Sequence, residues 1–145
     1  MVGSRRLSRE LALSTLFQAD VGGGTVEEAL ESSLEQGRHP TETLDFARQL
    51  ILGTAQHKGH IDSIITKYAL GWTLERMTNV DRNILRLAIY ELLYLPDIPA
   101  GVSVDEAVEL AKKYSTAESG RFVNGILGSL ARNLESELAE VEAPS

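Results

Sequence analysis

Apolar residues recur along this chain with a helical period almost from end to end, and one stretch carries them most densely. In residues 78–95, TNVDRNILRLAIYELLYL, Val80, Ile84, Leu87 and Ala88 take the i, i+4, i+7, i+8 spacing of one helix face, and Glu91 and Leu95 continue the row. Past Arg86 the apolar residues spread around the whole circumference. A helix apolar on every side must be covered on every side, so this stretch predicts a central helix with others packed around it. Thr78 predicts its N-cap, with Asp81 three residues on in a carboxylate form of the capping box, where the helix dipole favours negative charge. Pro96 and Pro99 predict its end. Asn79, Arg82, Asn83 and Arg86 fall on one stripe and predict a single wet side.

The remaining periodic segments predict about seven helices in all, joined by short connections. A first helix over residues 5–19 has Ser4 as N-cap and Leu13, Leu16 and Phe17 as its apolar face, and Gly22, Gly23 and Gly24 end it. Thr25 and Glu28 form a capping box for a short helix to about residue 36, with Ala29, Leu30 and Leu34 inward. A turn at 37–40 precedes a helix capped by Thr41, whose Leu44, Ala47, Leu50, Ile51 and Leu52 face the core. Gly53 interrupts that pattern, and Gly59 ends or kinks the helix. Residues 60–70 read as amphipathic, Trp72 lies in a turn, and residues 74–77 make one helical turn before the central helix. Beyond it, Ser103 and Glu106 predict a cap for a helix over 104–114, and Ser115 and Glu118 one for a last long helix. That helix carries Phe122, Val123, Ile126, Leu127, Leu130 and Leu134, with Gly125 allowing close helix approach. Residues 135–145 are acidic and read as a fraying tail. The fold class expected is all-α, a single domain of 145 residues with helical halves about 1–72 and 73–134.

Composition changes this picture little. The absence of cysteine excludes disulfides, thiolate metal sites and a Cys nucleophile, and fits a cytoplasmic location. No stretch reads as a membrane span, so no membrane partner is expected. Charge matters more, because the net −7 is unevenly placed: residues 1–24 sum to +1, residues 25–45 to −5, residues 46–132 to +1, and the tail to −4. Any polyanion site must therefore be a local patch, and the acidic flanks suit a basic partner.

Candidate chemistry is sparse. His57, His60 and Asp62 have a spacing that could hold a metal, although two histidines at a helix end more often mark a solvated corner. Glu91, on the apolar side of the central helix, is either a carboxylate of raised pKa or a partner in an internal ion pair. No phosphate-cradling loop or nucleophile motif is present, so an enzyme is not expected, and no cofactor or metal is called for. Arg5, Arg6 and Arg9 crowd the first two turns of the first helix, against the dipole. They are a solvated basic end or a phosphate-contacting arm. Residues 114–124, YSTAESGRFVN, set Tyr114, Arg121, Phe122 and Asn124 beside a helix N-terminus. Such a corner offers N–H groups to phosphate and aromatic faces to unpaired bases, or is simply core edge.

The run TLERMTNVDRNILRLAIYELLYLPDIPAGVSVDEAVELAKKYSTAESGRFVNGIL, residues 73–127, closely resembles the C-terminal half of the bacterial transcription antitermination factor NusB family. RRLSRELALSTLFQAD resembles that family's arginine-rich first helix, and VDRNILRLAIYELL, DEAVELAKKY and FVNGIL in that order are its specific marks. A similar module opens some ribosomal-RNA cytosine methyltransferases; this sequence stops where their catalytic domain would start, so methyl transfer is not expected. The resemblance implies an all-helical fold of two subdomains that binds the single-stranded boxA element of ribosomal-RNA transcripts. It implies partnership with the small-subunit ribosomal protein NusE and entry into the RNA polymerase antitermination complex. By position it implies RNA contacts at Arg5, Arg6, Arg9, Phe17, Tyr68, Arg86, Tyr114, Glu118, Ser119, Phe122 and Asn124, and NusE contacts at Glu75 and Asp81. Leu7 and Ser8 depart from the more basic arm of relatives, which predicts weak RNA affinity without NusE. The alternative reading is a homodimeric protein-interaction module whose interface hides the RNA surface.

Overall fold

The computed structural model describes residues 4–35 and 39–142. The turn expected at Gly37 and the end of the tail lie outside the described residues, as do the side chains of Ser4 and Leu34. Among the described residues the chain is all-α: α1 (Ser4–Gly22), α2 (Val26–Glu35), α3 (Thr41–Gln56), α4 (Lys58–Tyr68), a 3₁₀ turn (Leu74–Arg76), α5 (Asn79–Tyr94), α6 (Ala100–Tyr114), α7 (Ala117–Arg132) and α8 (Leu134–Glu142). No helix among them is long and apolar enough to cross a membrane.

α5 is the central helix. Every residue from Asn83 to Leu93 is buried, covered by α1, α3 and α4 on one side and by α6, α7 and α8 on the other. Each Leu or Ile fully taken from water here contributes roughly 1.5–3 kcal/mol, which is why this apolar segment organises the bundle. Thr78 caps it as expected, its hydroxyl accepting the Asp81 N–H at 3.1 Å. Gly53 is the closest approach to it from α3. A Cβ there would lie 2.1 Å from Cζ of Tyr90, so the glycine that interrupts the apolar pattern is the slot for that ring.

Several boundaries differ from the sequence reading. Pro40, not Thr41, precedes α3, and the break before α4 falls at His57, with Gly59 inside the first turn of α4. α6 starts at Ala100, three residues before the expected cap and directly after Pro99, whose backbone takes the N-cap position. Ser103 is therefore inside the helix and buried, donating its hydroxyl to Oε1 of Glu91 at 3.0 Å. Thr116, one residue beyond Ser115, caps α7 by accepting the Ser119 N–H at 3.0 Å. The close approach of α6 and α7 lies at Gly120, where a Cβ would come within 3.0 Å of Cγ of Lys112; Gly125 faces open space. The last long helix breaks at Asn133, and the acidic stretch read as fraying is α8, its Leu134, Leu138 and Val141 packed against the core. The stripe Asn79, Arg82, Asn83 and Arg86 is not a wet side. Arg82 and Arg86 reach Asp20 of α1, Arg86 also grips Asp62 of α4 at 2.8 and 3.1 Å, and Asn83 donates to Asp20 at 3.0 Å.

Candidate nucleic-acid interface

Position on α1 divides the three arginines. Arg9 shares the i, i+3, i+4, i+7 row of Ala12, Leu13 and Leu16 and turns inward with them, leaving it 4% exposed. Its guanidinium grips both carboxylate oxygens of Glu91, at 2.9 and 2.8 Å, and lies 3.5 Å from Glu106. The internal ion pair is thus the correct reading of Glu91, and Arg9 is a clamp between α1, α5 and α6, closed to phosphate. Arg6 and Arg5 stand outward. Arg6 makes a two-pronged pair with Glu106, at 3.1 and 2.7 Å, with about half its side chain in water. Arg5 is exposed and lies over the Phe46 ring, 4.3 Å from its centroid.

From Arg6 a surface continues between α1 and α6. Glu10 of α1 accepts from Nζ of Lys113 and, at 2.7 Å, from the phenol of Tyr114. The Lys113 and Tyr114 hydrogen bonds outweigh the effect of burial and hold the Glu10 carboxyl below the usual carboxylate range. Arg6, Glu10 and Lys113 line one depression, and Glu10, Phe17, Val80 and Tyr114 line the next, so the arm and the aromatic pair share a wall. Phe17 and Tyr114 both keep exposed ring surface there.

The α6–α7 corner forms a third hollow, lined by Asp81 and Thr116 among others. Phe122 meets Trp72 edge to face with centroids 5.3 Å apart, and the Arg76 guanidinium lies 5.1 Å from the Trp72 centroid. Glu118 stands exposed at its rim. Asn124 is exposed further along α7 and does not line the hollow. Trp72, Arg76 and Lys113 were absent from the sequence-based site. Trp72 had a signal, a large aromatic in a glycine turn that stands 43% exposed; Gly71 holds the turn at φ +81°, where other residues are strained.

Three further assignments need correction. Arg86 is buried and held by Asp62 and Asp20, inside the bundle. Asp81 is 7% exposed: it accepts the Ser119 hydroxyl at 3.2 Å, and burial pushes its carboxyl up, so it is no outward acidic contact. Ser119, buried, spends its polar atoms on Thr116, Ser115 and Asp81. Tyr68 is not among them: it is half-buried, and its phenol donates to Glu137 of α8. Glu75, on the 3₁₀ turn, is exposed as expected of a partner-facing acid. His57, His60 and Asp62 are engaged separately: His57 stacks 3.9 Å from Tyr94, His60 meets the Tyr94 hydroxyl at 2.7 Å, and Asp62 holds Arg86.

An all-helical bundle with its chemistry on an open cationic and aromatic rim, rather than in an enclosed cleft, belongs to the class of binding modules. The NusB family profile matches residues 6–132, and the chain belongs to the NusB family. It is 47% identical over 150 aligned residues to the transcription antitermination protein NusB of Symbiobacterium thermophilum, covering 98% of each chain. T. maritima NusB superposes with a TM-score of 0.83 at 42% identity, over 91% of this chain and 93% of that one. A crystal structure of antitermination factors NusB and NusE in complex with dsRNA matches with a TM-score of 0.83 at 30% identity, over 91% of this chain and 98% of that one.

Proposed function

We propose that this protein is an RNA-binding antitermination adaptor that recognises the boxA element of ribosomal-RNA transcripts together with the ribosomal protein NusE and joins the RNA polymerase antitermination complex. The observation that carries the reading is a set of three hollows: that of Arg6 and Lys113 shares Glu10 with that of Phe17 and Tyr114, and the hollow of Trp72 and Phe122 is lined by Asp81 and Thr116, close in sequence to Val80 and Tyr114 of the second. Cations at one end meet backbone phosphate, and aromatic faces at the other stack unpaired bases. Exposed Glu75 offers negative charge to a basic protein such as NusE. The role needs no catalytic step.

Filter binding of a boxA RNA, a scrambled single strand and a duplex, each with and without NusE, tests it. Preference for boxA that strengthens with NusE supports the reading, and equal weak binding to all three refutes it. Arg6→Ala weakens every RNA, while Phe122→Ala also erodes discrimination. A homodimer burying Phe17, Tyr114 and Trp72 is the competing outcome; it sediments as a dimer that RNA does not dissociate.

A further inference from the structure

The family profile ends at residue 132, and α8 begins just beyond it at Leu134. It carries Glu135, Glu137, Glu140 and Glu142 and no basic residue. Leu134, Leu138 and Val141 rest on the core, but the polar ties found for this helix converge on one side chain. Glu137 is 3% exposed; its Oε2 takes the Lys67 ammonium at 2.7 Å and the Tyr68 phenol. Burial alone would raise this carboxyl, yet the two donors hold it below the usual carboxylate range. Lys67 itself remains more than half exposed, so only the carboxylate side of the seat is closed.

The same chemistry occurs a second time in the molecule. Lys113 and Tyr114, also adjacent and at the end of a helix, close on Glu10 with an ammonium and a phenol on one carboxylate oxygen. An ammonium and a phenolic O–H converging on one anionic oxygen suit a phosphate oxygen equally well. The two seats differ in what fills them. Glu10 belongs to α1, which is clamped through Arg9 to α5, whereas Glu137 belongs to a nine-residue terminal helix. Isolated helices of that length are marginal in water, so α8 depends on its docking and is the detachable one. The Lys67 seat is also close along the chain to Trp72 of the proposed RNA surface. α4 ends at Tyr68 and passes directly into the turn of Trp72, whose N–H donates to the Ala69 carbonyl at 3.0 Å.

Tyr68 is already a position that the family resemblance marks for RNA; we propose that Lys67 completes a phosphate seat with it, and that α8 is a built-in cover whose Glu137 occupies the seat until an RNA backbone displaces it. This rests on the RNA-binding reading above. It makes the free chain a self-competing binder, with its own carboxylate standing where a nucleotide phosphate goes.

The test uses the full chain and a short single-stranded RNA carrying boxA, comparing wild type, Glu137→Gln, Lys67→Ala, the Glu137→Gln/Lys67→Ala double variant and Arg6→Ala. Glu137→Gln strengthens RNA binding, and Lys67→Ala abolishes that gain, which general relief of repulsion would not require. One added phosphate contact raises the single-strand salt slope by about 0.7, so the gain shrinks roughly 2.5-fold between about 50 and 200 mM salt. Hydrogen exchange supplies a second readout: saturating RNA strips protection from the α8 amides. If Arg6→Ala weakens binding while Glu137→Gln leaves affinity unchanged, or α8 keeps its protection with RNA bound, the cover is refuted and the RNA reading stands. If Arg6→Ala has no effect either, both fall.

Discussion

The buried Arg9–Glu91 pair is the sharpest place to test how this fold is held. Arg9→Met leaves the Glu91 carboxylate, 2% exposed, with only the Ser103 hydroxyl at 3.0 Å. Removing one member of a buried ion pair costs roughly 3–5 kcal/mol, because the remaining charge can neither reach water nor find a counter-ion. At roughly 2–4 °C per kcal/mol for a domain near this size, the melting temperature falls by roughly 6–20 °C. Glu91→Leu strands Arg9 less severely, since Glu106 stays 3.5 Å away. The double variant Arg9→Met/Glu91→Leu places apolar side chains where two charges stood and loses much less than the sum, because both desolvation penalties disappear together. Ser103 can turn its hydroxyl to a carbonyl of its own helix. Urea unfolding followed by far-UV circular dichroism reads all three. A cost below about 1 kcal/mol for Arg9→Met, the range of surface pairs, would refute the reasoning, as would strict additivity in the double variant.

The same logic separates the arginines by function: Arg6→Ala lowers the urea midpoint only slightly, as a half-exposed pair should, and weakens RNA in filter binding, whereas Arg9→Met lowers the midpoint strongly and leaves RNA binding per folded molecule unchanged. Glycine substitutions at two helical sites should have opposite signs. Gly125→Ala meets open space and gains up to about 1 kcal/mol of helix propensity, while Gly53→Ala drives a methyl into the Tyr90 ring and loses about 1–3 kcal/mol or more, read by the same urea titration. Acid should weaken the fold. Arg6 lowers the Glu106 carboxyl, and hydrogen bonds from Arg82 and Asn83 outweigh burial to lower Asp20. A carboxyl lower in the folded than in the unfolded chain stabilises above its ordinary range and loses that contribution as pH falls, between roughly pH 5 and 3. Asp81, raised by burial, works against this trend, so Asp20→Asn flattens the pH dependence of the urea midpoint and Asp81→Asn steepens it.

The sequence made the bundle legible wherever apolar periodicity was dense. α5 was visible because nothing but burial explains apolar residues on all its sides, and Thr78 announced its start. What periodicity could not assign was the destination of charges on mixed faces. Arg82 and Arg86 look like a solvated stripe until the acids across from them, Asp20 and Asp62, come from two other helices. Arg9 was decipherable in principle: an arginine on the Ala12, Leu13, Leu16 row and a glutamate on the apolar side of α5 are two misplaced charges of opposite sign, and burying both demands that they meet. Reading the arm as three equal arginines concealed this. Ser103 misled for a related reason, since a serine three residues before a glutamate satisfies a capping pattern whether or not its hydroxyl is needed by a buried carboxylate. Trp72 and Arg76 joined the site through a turn, where no period predicts direction.

The rim explains how a chain of net charge −7 can hold RNA, and why it should hold it loosely. Its cations are engaged before any ligand arrives: Arg6 with Glu106, Lys113 with Glu10, Lys67 with Glu137. A phosphate binding there exchanges one anion for another, so the Coulombic gain at each contact is only the difference between a phosphate and the carboxylate it displaces. The salt dependence is likewise smaller than the number of cations suggests, because each freed carboxylate stands near the bound phosphate and offsets part of the neutralisation that releases the RNA's counter-ions. Affinity must then come largely from stacking on Phe17, Tyr114, Phe122 and Trp72, and from a partner protein that meets the exposed acid at Glu75. The consequence is measurable. Phe122→Ala should cost more RNA affinity than Arg6→Ala at both about 50 and about 200 mM salt, because each phosphate contact only replaces a carboxylate contact. If Arg6→Ala is the more damaging at both concentrations, the carboxylates do not compete with RNA in the way this geometry requires.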